Sequence, residues 1–174
     1  MLVLFSGPPG VGKSRLSYRL SRHTGWAVFS KDQFDRTFQT LEIGDYPRIA
    51  AYHLMLDLAD LNLRNGVSVI LDAVFPMDGF RQRARSIAAT CAARFCPIVC
   101  QCSDEALWQD RVSRREEMVA GWRPAAWQEV QRIQAYYEPW TQPHLLLDAT
   151  NDFDDNFQRL LSYLADAPEK SDKL

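Results

Sequence analysis

Apolar residues along the chain follow two rhythms. Compact runs occur at Leu2 to Phe5, Trp26 to Phe29, Val67 to Leu71, Pro97 to Cys102 and His144 to Leu147. Runs this short, without polar alternation, predict strands buried on both faces. Between them apolar residues recur every three or four positions. Ser14 to Arg22 repeats Leu16 and Leu20. Ile49 to Arg64 repeats Ile49, Tyr52, Met55, Leu56, Ala59 and Leu63. Gly79 to Arg94 repeats Phe80, Ala84, Ile87, Ala88 and Cys91. These spacings predict amphipathic helices.

The remaining stretches follow the same logic. Lys31 to Phe38 predicts a short helix or turn, and Gly44, Asp45 and Pro47 predict a loop. Ser103 is the expected cap of a helix with Asp104 and Glu105 in its first turn. Pro124 opens a further helix with Trp127, Val130, Ile133 and Tyr137 on one stripe, ended by Pro139. A last helix carries Phe153, Phe157, Leu160, Leu161 and Leu164. Thr24-Gly25 and Asn65-Gly66 are stops. Strands separated by helices predict an α/β fold: a parallel sheet covered on both faces, with right-handed crossovers.

Composition narrows the function classes. A chain of 174 residues is expected to form a single domain, here over 1–166, with a charged, fraying tail over 167–174. A net charge of −2 argues against a chain that traps nucleic acid over its whole surface, while leaving room for a local basic cleft. No apolar run reaches the length of a membrane span. The apolar start has no basic residue before it, so it reads as a strand and not a signal peptide, and the cytoplasm is the expected compartment. Cys96, Cys100 and Cys102 fall on one face of a strand, at a spacing that matches no common zinc pattern. They are expected to be small core hydrophobes, without disulfides.

The strongest chemical signal joins the first strand to the first helix. Gly7-Pro8-Pro9-Gly10-Val11-Gly12-Lys13-Ser14 matches the full Walker A pattern. Glycines let successive N–H groups face one concavity, and the following helix points its N-terminal dipole at the same place. Lys13 is expected to reach the outer phosphates of ATP, and Ser14 to offer its hydroxyl to Mg²⁺. Asp72 closes the strand Val69-Ile-Leu-Asp72 in the Walker B manner and is expected to serve Mg²⁺ or an acceptor hydroxyl. Ala73 stands where motor ATPases use a water-activating glutamate. Asn151-Asp-Phe-Asp154 lacks the lysine of a GTPase base reader.

Asp110-Arg111-Val112-Ser113-Arg114-Arg115 resembles the run that opens the lid of adenylate-kinase-like enzymes. By that resemblance the lid lies around 108–125, Arg111 stacks on adenine, and Arg115 touches the phosphates. Planar guanidinium groups suit the charge that develops on a transferring phosphoryl group. The Walker A loop, Ser30-Lys31-Asp32, Val69 to Asp72, Arg111 to Arg115 and Tyr137-Glu138-Pro139 together resemble the P-loop kinases that include chloramphenicol phosphotransferase, zeta toxins and polynucleotide kinase. The resemblance implies a five-stranded parallel sheet in the order 2-3-1-4-5. It also implies an aspartate after the second strand as general base.

Asp32 matches that position, with Asp35 as its rival. Lys31, Arg36 and Arg81 are expected to anchor the acceptor. Arg36 follows Asp32 by four residues, whereas the polynucleotide kinase motif spaces them by three, so a nucleic-acid end is the second choice of acceptor. The first is the hydroxyl of a small metabolite, nucleoside-like compound or antibiotic, handled by a monomer without a membrane partner. A nucleotide-binding regulator with slow hydrolysis is a third reading. Trp108, Trp122, Trp127 and Trp140 are expected to pack helices, with Trp122 the candidate exception.

Overall fold

The first strand, β1 (Leu2–Ser6), is buried along its whole length, and the other elements are laid around it. The computed structural model describes residues 1–41, 43, 49–114 and 125–166. The loop of Gly44, Asp45 and Pro47, most of the expected lid (Arg115 and Trp122 included) and the tail 167–174 lie outside the described residues. After β1 come α1 (Lys13–Thr24), β2 (Ala27–Ser30), α2 (Lys31–Thr40), α3 (Ala50–Arg64) and β3 (Val69–Asp72). Then follow α4 (Asp78–Thr90), β4 (Phe95–Gln101), α5 (Glu105–Ser113), α6 (Trp127–Ala135), β5 (Leu145–Asp148) and α7 (Phe153–Ala165).

All strand pairs are parallel, in the order β2-β3-β1-β4-β5. This is the expected α/β architecture of a P-loop NTPase. Alternation along the strands divides the core into two layers. Val3, Phe5, Ile70 and Ile98 join Leu16 and Leu20 of α1 and Phe157 and Leu160 of α7. Leu2, Leu4, Val69 and Leu71 join Met55, Leu56 and Ala59 of α3 and Ala84 and Ala88 of α4. Cys96, Cys100 and Cys102 are buried in the first of these layers. Among the described residues no helix is long and apolar enough to cross a membrane.

Several element ends differ from the sequence expectation; α6 ends at Ala135, leaving Tyr137 outside the helix, and β4 starts at Phe95 and ends at Gln101. Val67 stays outside β3 and exposed, so the strand begins at Val69, while it ends on Asp72 as expected. The helix expected to reach Arg94 stops at Thr90 because Ala92 adopts a left-handed φ of 50°. Arg94 instead donates to the carbonyls of Leu164 and Tyr163 at 2.6 and 2.7 Å, satisfying acceptors in the last turn of α7. Asp104, not Ser103, caps α5: its carboxylate accepts the Leu107 N–H at 2.9 Å. The Ser103 N–H is engaged elsewhere, on Asp148 Oδ1 at 3.2 Å.

Candidate phosphate and acceptor site

The parallel register brings the carboxyl ends of three strands together: Asp72 stands level with Phe5 on β1 and Ser30 on β2. That edge of an α/β sheet is where ligands bind. The loop from Gly7 to Gly12 leaves β1 there and turns into α1, whose N-terminus faces the same space.

Two glycines are required by contact as well as by torsion. Gly7 has φ 133°, and a Cβ there would lie 2.1 Å from the Cys100 carbonyl oxygen. Gly10 has φ 87°, and a Cβ there would lie 2.5 Å from Val112 Cγ2. Side chains and backbone groups distant in sequence hold the rest of the loop. The Gly7 N–H and the Ser6 hydroxyl both donate to the Val74 carbonyl, at 3.2 and 2.9 Å. Tyr137 and Ser6 share a hydroxyl–hydroxyl hydrogen bond of 2.6 Å, and the Trp140 indole donates to both hydroxyls. The Trp108 indole donates to the Pro9 carbonyl at 2.8 Å. Lys13 is buried, and its ammonium donates to the Pro8 carbonyl at 2.8 Å.

Asp72 is 3% exposed. Burial pushes its carboxyl pKa up; Lys13 and the hydroxyls of Ser14 and Ser17 pull it back down, while Asp32 adds to the rise. Its Oδ2 has no hydrogen-bond partner among the described residues. A buried carboxylate oxygen held in reserve beside a serine hydroxyl fits Mg²⁺, which favours one or two protein oxygens and completes its shell with phosphates and water. No cluster of three or more His, Cys, Asp or Glu able to hold a metal occurs among the described residues.

On the acceptor side, Asp32 lies partly exposed in the first turn of α2. Asp35, one turn on, is 5% exposed and pairs with Lys31. The Lys31 ammonium also sits 5.3 Å over the Tyr52 ring, so this expected acceptor anchor is engaged within the protein. Arg36 is exposed. Tyr18, from α1, accepts a hydrogen bond from the Gln33 side chain at 3.1 Å. Burial raises its phenol pKa, and the charges of Asp72 and Asp32 raise it further against the hydrogen bonds of Ser30 and Gln33.

Arg81, expected to anchor the acceptor, is instead buried against backbone carbonyls. It is 2% exposed. Its guanidinium donates to the carbonyls of Phe75, Pro76, Glu138 and Pro139, at 2.8, 3.1, 2.8 and 3.3 Å, and lies over the rings of Tyr137 and Trp140. Burial lowers its pKa, opposed by Tyr137, Asp78 and Glu138. The side chain clamps the segment after β3 to the segment around Glu138, with four of its five N–H donors given to backbone carbonyls. On the nucleotide side, Arg111 donates to the Ala149 carbonyl at 2.8 Å. Nearby, burial works against the charge of Asp148. The N–H and hydroxyl of Thr150, the Gln101 amide and the Ser103 N–H overcome this and hold its pKa well below the ordinary carboxylate value.

Trp108, Trp140 and Tyr18 do not read as site residues in the sequence, and Tyr137 enters only within the Tyr137-Glu138-Pro139 run of the resemblance. Each reaches the site from a segment remote in sequence or from the inner face of a helix, where an aromatic reads as core. Trp108 and Trp127 do pack edge to face, 5.1 Å apart, as helix packing predicts. The Trp108 contact with the loop has no local signal.

A family model described as AAA domain matches residues 2–140. No curated protein matches the sequence significantly. Among solved structures, the fold is similar to Kti12 of Chaetomium thermophilum in complex with ADP-AlF3, with TM-score 0.72 and 17% identity over 94% of this chain and 98% of that one. It is also similar to a sugar kinase from Janibacter sp., with TM-score 0.71 and 19% identity over 96% and 95% of the two chains. The APS kinase of Mycobacterium tuberculosis in complex with AMPPNP and APS gives TM-score 0.64 and 19% identity over 94% and 96%.

Proposed function

The chain belongs to the AAA domain family, and from that membership and the site geometry we propose that it is a kinase moving the γ-phosphoryl group of Mg-ATP to a hydroxyl of a small molecule. One observation carries the reading: the buried Asp72, with a spare carboxylate oxygen, beside Ser14 and within electrostatic reach of the partly exposed Asp32. A motor or hydrolase would have a water-activating carboxylate after Asp72, and this chain has Ala73. The sugar kinase and APS kinase among the similar folds support the same class.

The residues divide the work. Backbone N–H groups of the loop and the dipole of α1 hold the phosphates. Lys13 leaves the Pro8 carbonyl for the outer phosphates. Ser14 and Asp72 would hold Mg²⁺, which supplies charge neutralisation on the phosphate oxygens. Arg111 lies beside the base, and Arg115 serves the transferring group. Asp32 accepts the proton of the acceptor hydroxyl, because it is partly exposed after the second strand while Asp35 is buried with Lys31. Arg36 remains available to contact the acceptor.

The test is a panel of metabolites, nucleosides and antibiotics, with RNA and DNA 5′-hydroxyl ends included, incubated with Mg-ATP labelled in the γ-phosphate. Label transferred to a small-molecule hydroxyl is the expected result. Transfer to nucleic-acid ends alone would make the protein a polynucleotide kinase. ATP binding without transfer to any acceptor would make it a nucleotide-binding regulator.

A further inference from the structure

The two prolines of the loop change what its backbone can offer. Pro8 and Pro9 have no N–H, so the first loop donor that can face a phosphate after Gly7 is the Gly10 amide. A planar trans peptide points its N–H opposite to the carbonyl of the preceding residue. Every described peptide bond is trans. The direction of the Pro9 carbonyl therefore sets the direction of the Gly10 N–H.

That carbonyl is held by a side chain 99 positions away. The Trp108 indole N–H donates to it at 2.8 Å in a buried setting, and Trp108 itself is 5% exposed. The contact is close-fitting around it. A Cβ on Gly10 would meet Val112 Cγ2 at 2.5 Å and Trp108 Nε1 at 3.1 Å, so one face of α5 lies directly on this peptide. Trp127 fixes the indole from behind, edge to face at 5.1 Å. On the preceding peptide, the Lys13 ammonium occupies the Pro8 carbonyl. Lys13 must leave when phosphates arrive, whereas the Trp108 indole is held in the buried contact between α5 and the loop and can stay.

We propose that Trp108 is a positioning residue of the phosphate loop: by holding the Pro9 carbonyl outward it aims the Gly10 N–H into the phosphate cradle. The inference rests on the proposed phosphate-binding role of the loop. It also gives α5, the helix that leads into the lid segment, a direct hold on the loop. A nearby packing residue would stabilise the fold without favouring any ligand. A residue that orients one donor affects phosphates and leaves the base alone.

Trp108→Phe keeps an aromatic in the core and removes the indole N–H. Binding of Mg-ATP and of inorganic tripolyphosphate is measured by calorimetry for wild type and variant, with thermal melts of each ligand-free protein. The expected result is a loss of roughly 3- to 10-fold in affinity for both ligands, the worth of one hydrogen bond, with the variant still folded at the assay temperature. Unchanged tripolyphosphate affinity in a folded variant overturns the proposal, even where ATP binding falls. Wild-type protein that binds neither ligand removes the proposed function, and this inference with it. If the variant does not fold, NMR of the wild type decides. A Trp108 indole proton slow to exchange, together with a Gly10 amide that shifts on tripolyphosphate addition, supports the proposal. A rapidly exchanging indole proton overturns it.

Discussion

The two sides of the crevice are built in opposite ways. On the phosphate side, the loop is gripped from Val74, Cys100, Trp108 and Tyr137, through buried hydrogen bonds and contacts that leave no room for a methyl group at Gly7 or Gly10. On the acceptor side, α2 meets α3 where the Lys31 ammonium lies over the Tyr52 ring, with Lys31 paired to Asp35 one turn along α2, and beyond it Leu41, Ile43, Ile49, Leu54 and Leu61 remain exposed. A phosphate chain has one shape, so a rigid cradle aligned in advance avoids an ordering cost on binding. The acceptor side contributes Asp32, partly exposed in the first turn of a ten-residue helix. The contrast predicts that substitutions on the phosphate side are felt as stability and nucleotide affinity, and those on the acceptor side as turnover.

The largest effect should come from the clamp. Arg81→Met leaves four carbonyls without their donor, and denaturant unfolding should register a loss of roughly 3–4 kcal/mol. Any surviving folded protein should keep its Michaelis constant for the acceptor; a raised constant without lost stability would restore Arg81 to the acceptor site. Next is Asp32→Asn, expected to slow phosphoryl transfer about 100-fold while ATP binding is retained. That is the lower end of what a base contributes, because a loose transition state asks less of it. Asp35→Asn tests the same pair from the other direction. It strips the partner from a mostly buried ammonium and should cost about 2 kcal/mol of stability with a milder effect on turnover. If Asp35→Asn abolishes transfer and Asp32→Asn does not, the base has been assigned to the wrong carboxylate. Arg111→Ala should raise the Michaelis constant for ATP by about tenfold, and Arg115→Ala should lower turnover instead.

The smallest effect is also the most diagnostic of the metal role. Burial raises the Asp72 pKa in the folded protein above its unfolded value. The folded state thus holds this proton more tightly, and the associated stability is fully present below about pH 4. It is lost as pH rises through the raised folded value. Ligand-free protein should lose this stability between those two pKa values, and Asp72→Asn should flatten the profile. At neutral pH the variant should melt about 2–4 °C higher while losing Mg²⁺-dependent nucleotide binding. A lower melting temperature for the variant would mean that the charged carboxylate is stabilising the fold.

The same contrast governs what could be read from the sequence. Phosphate recognition is encoded in eight consecutive residues, Gly7 to Ser14, because a backbone cradle and a helix start are local structures. The strands were legible because runs such as Val69 to Leu71 are buried on both faces, and their order followed from the resemblance to P-loop kinases. Element ends were less legible. Arg94 left its helix for a tertiary partner on α7, and Asp104 rather than its neighbour Ser103 supplies the capping oxygen, to the Leu107 N–H. Arg81 misled for a related reason. A lone arginine after the Walker B strand looks like an anion anchor in one dimension, and only the fold shows four carbonyls converging on it. Trp108 and Tyr137 act on the loop from about 100 and 130 residues away, and no spacing rule connects them to it.

The most direct test is calorimetric titration of Mg-ATP into the wild-type protein and into Lys13→Ala. The account predicts saturable binding at one site per chain for the wild type, and weak or undetectable binding for the variant. A folded wild-type protein that binds no nucleoside triphosphate, or a Lys13→Ala variant that binds Mg-ATP as the wild type does, would contradict it.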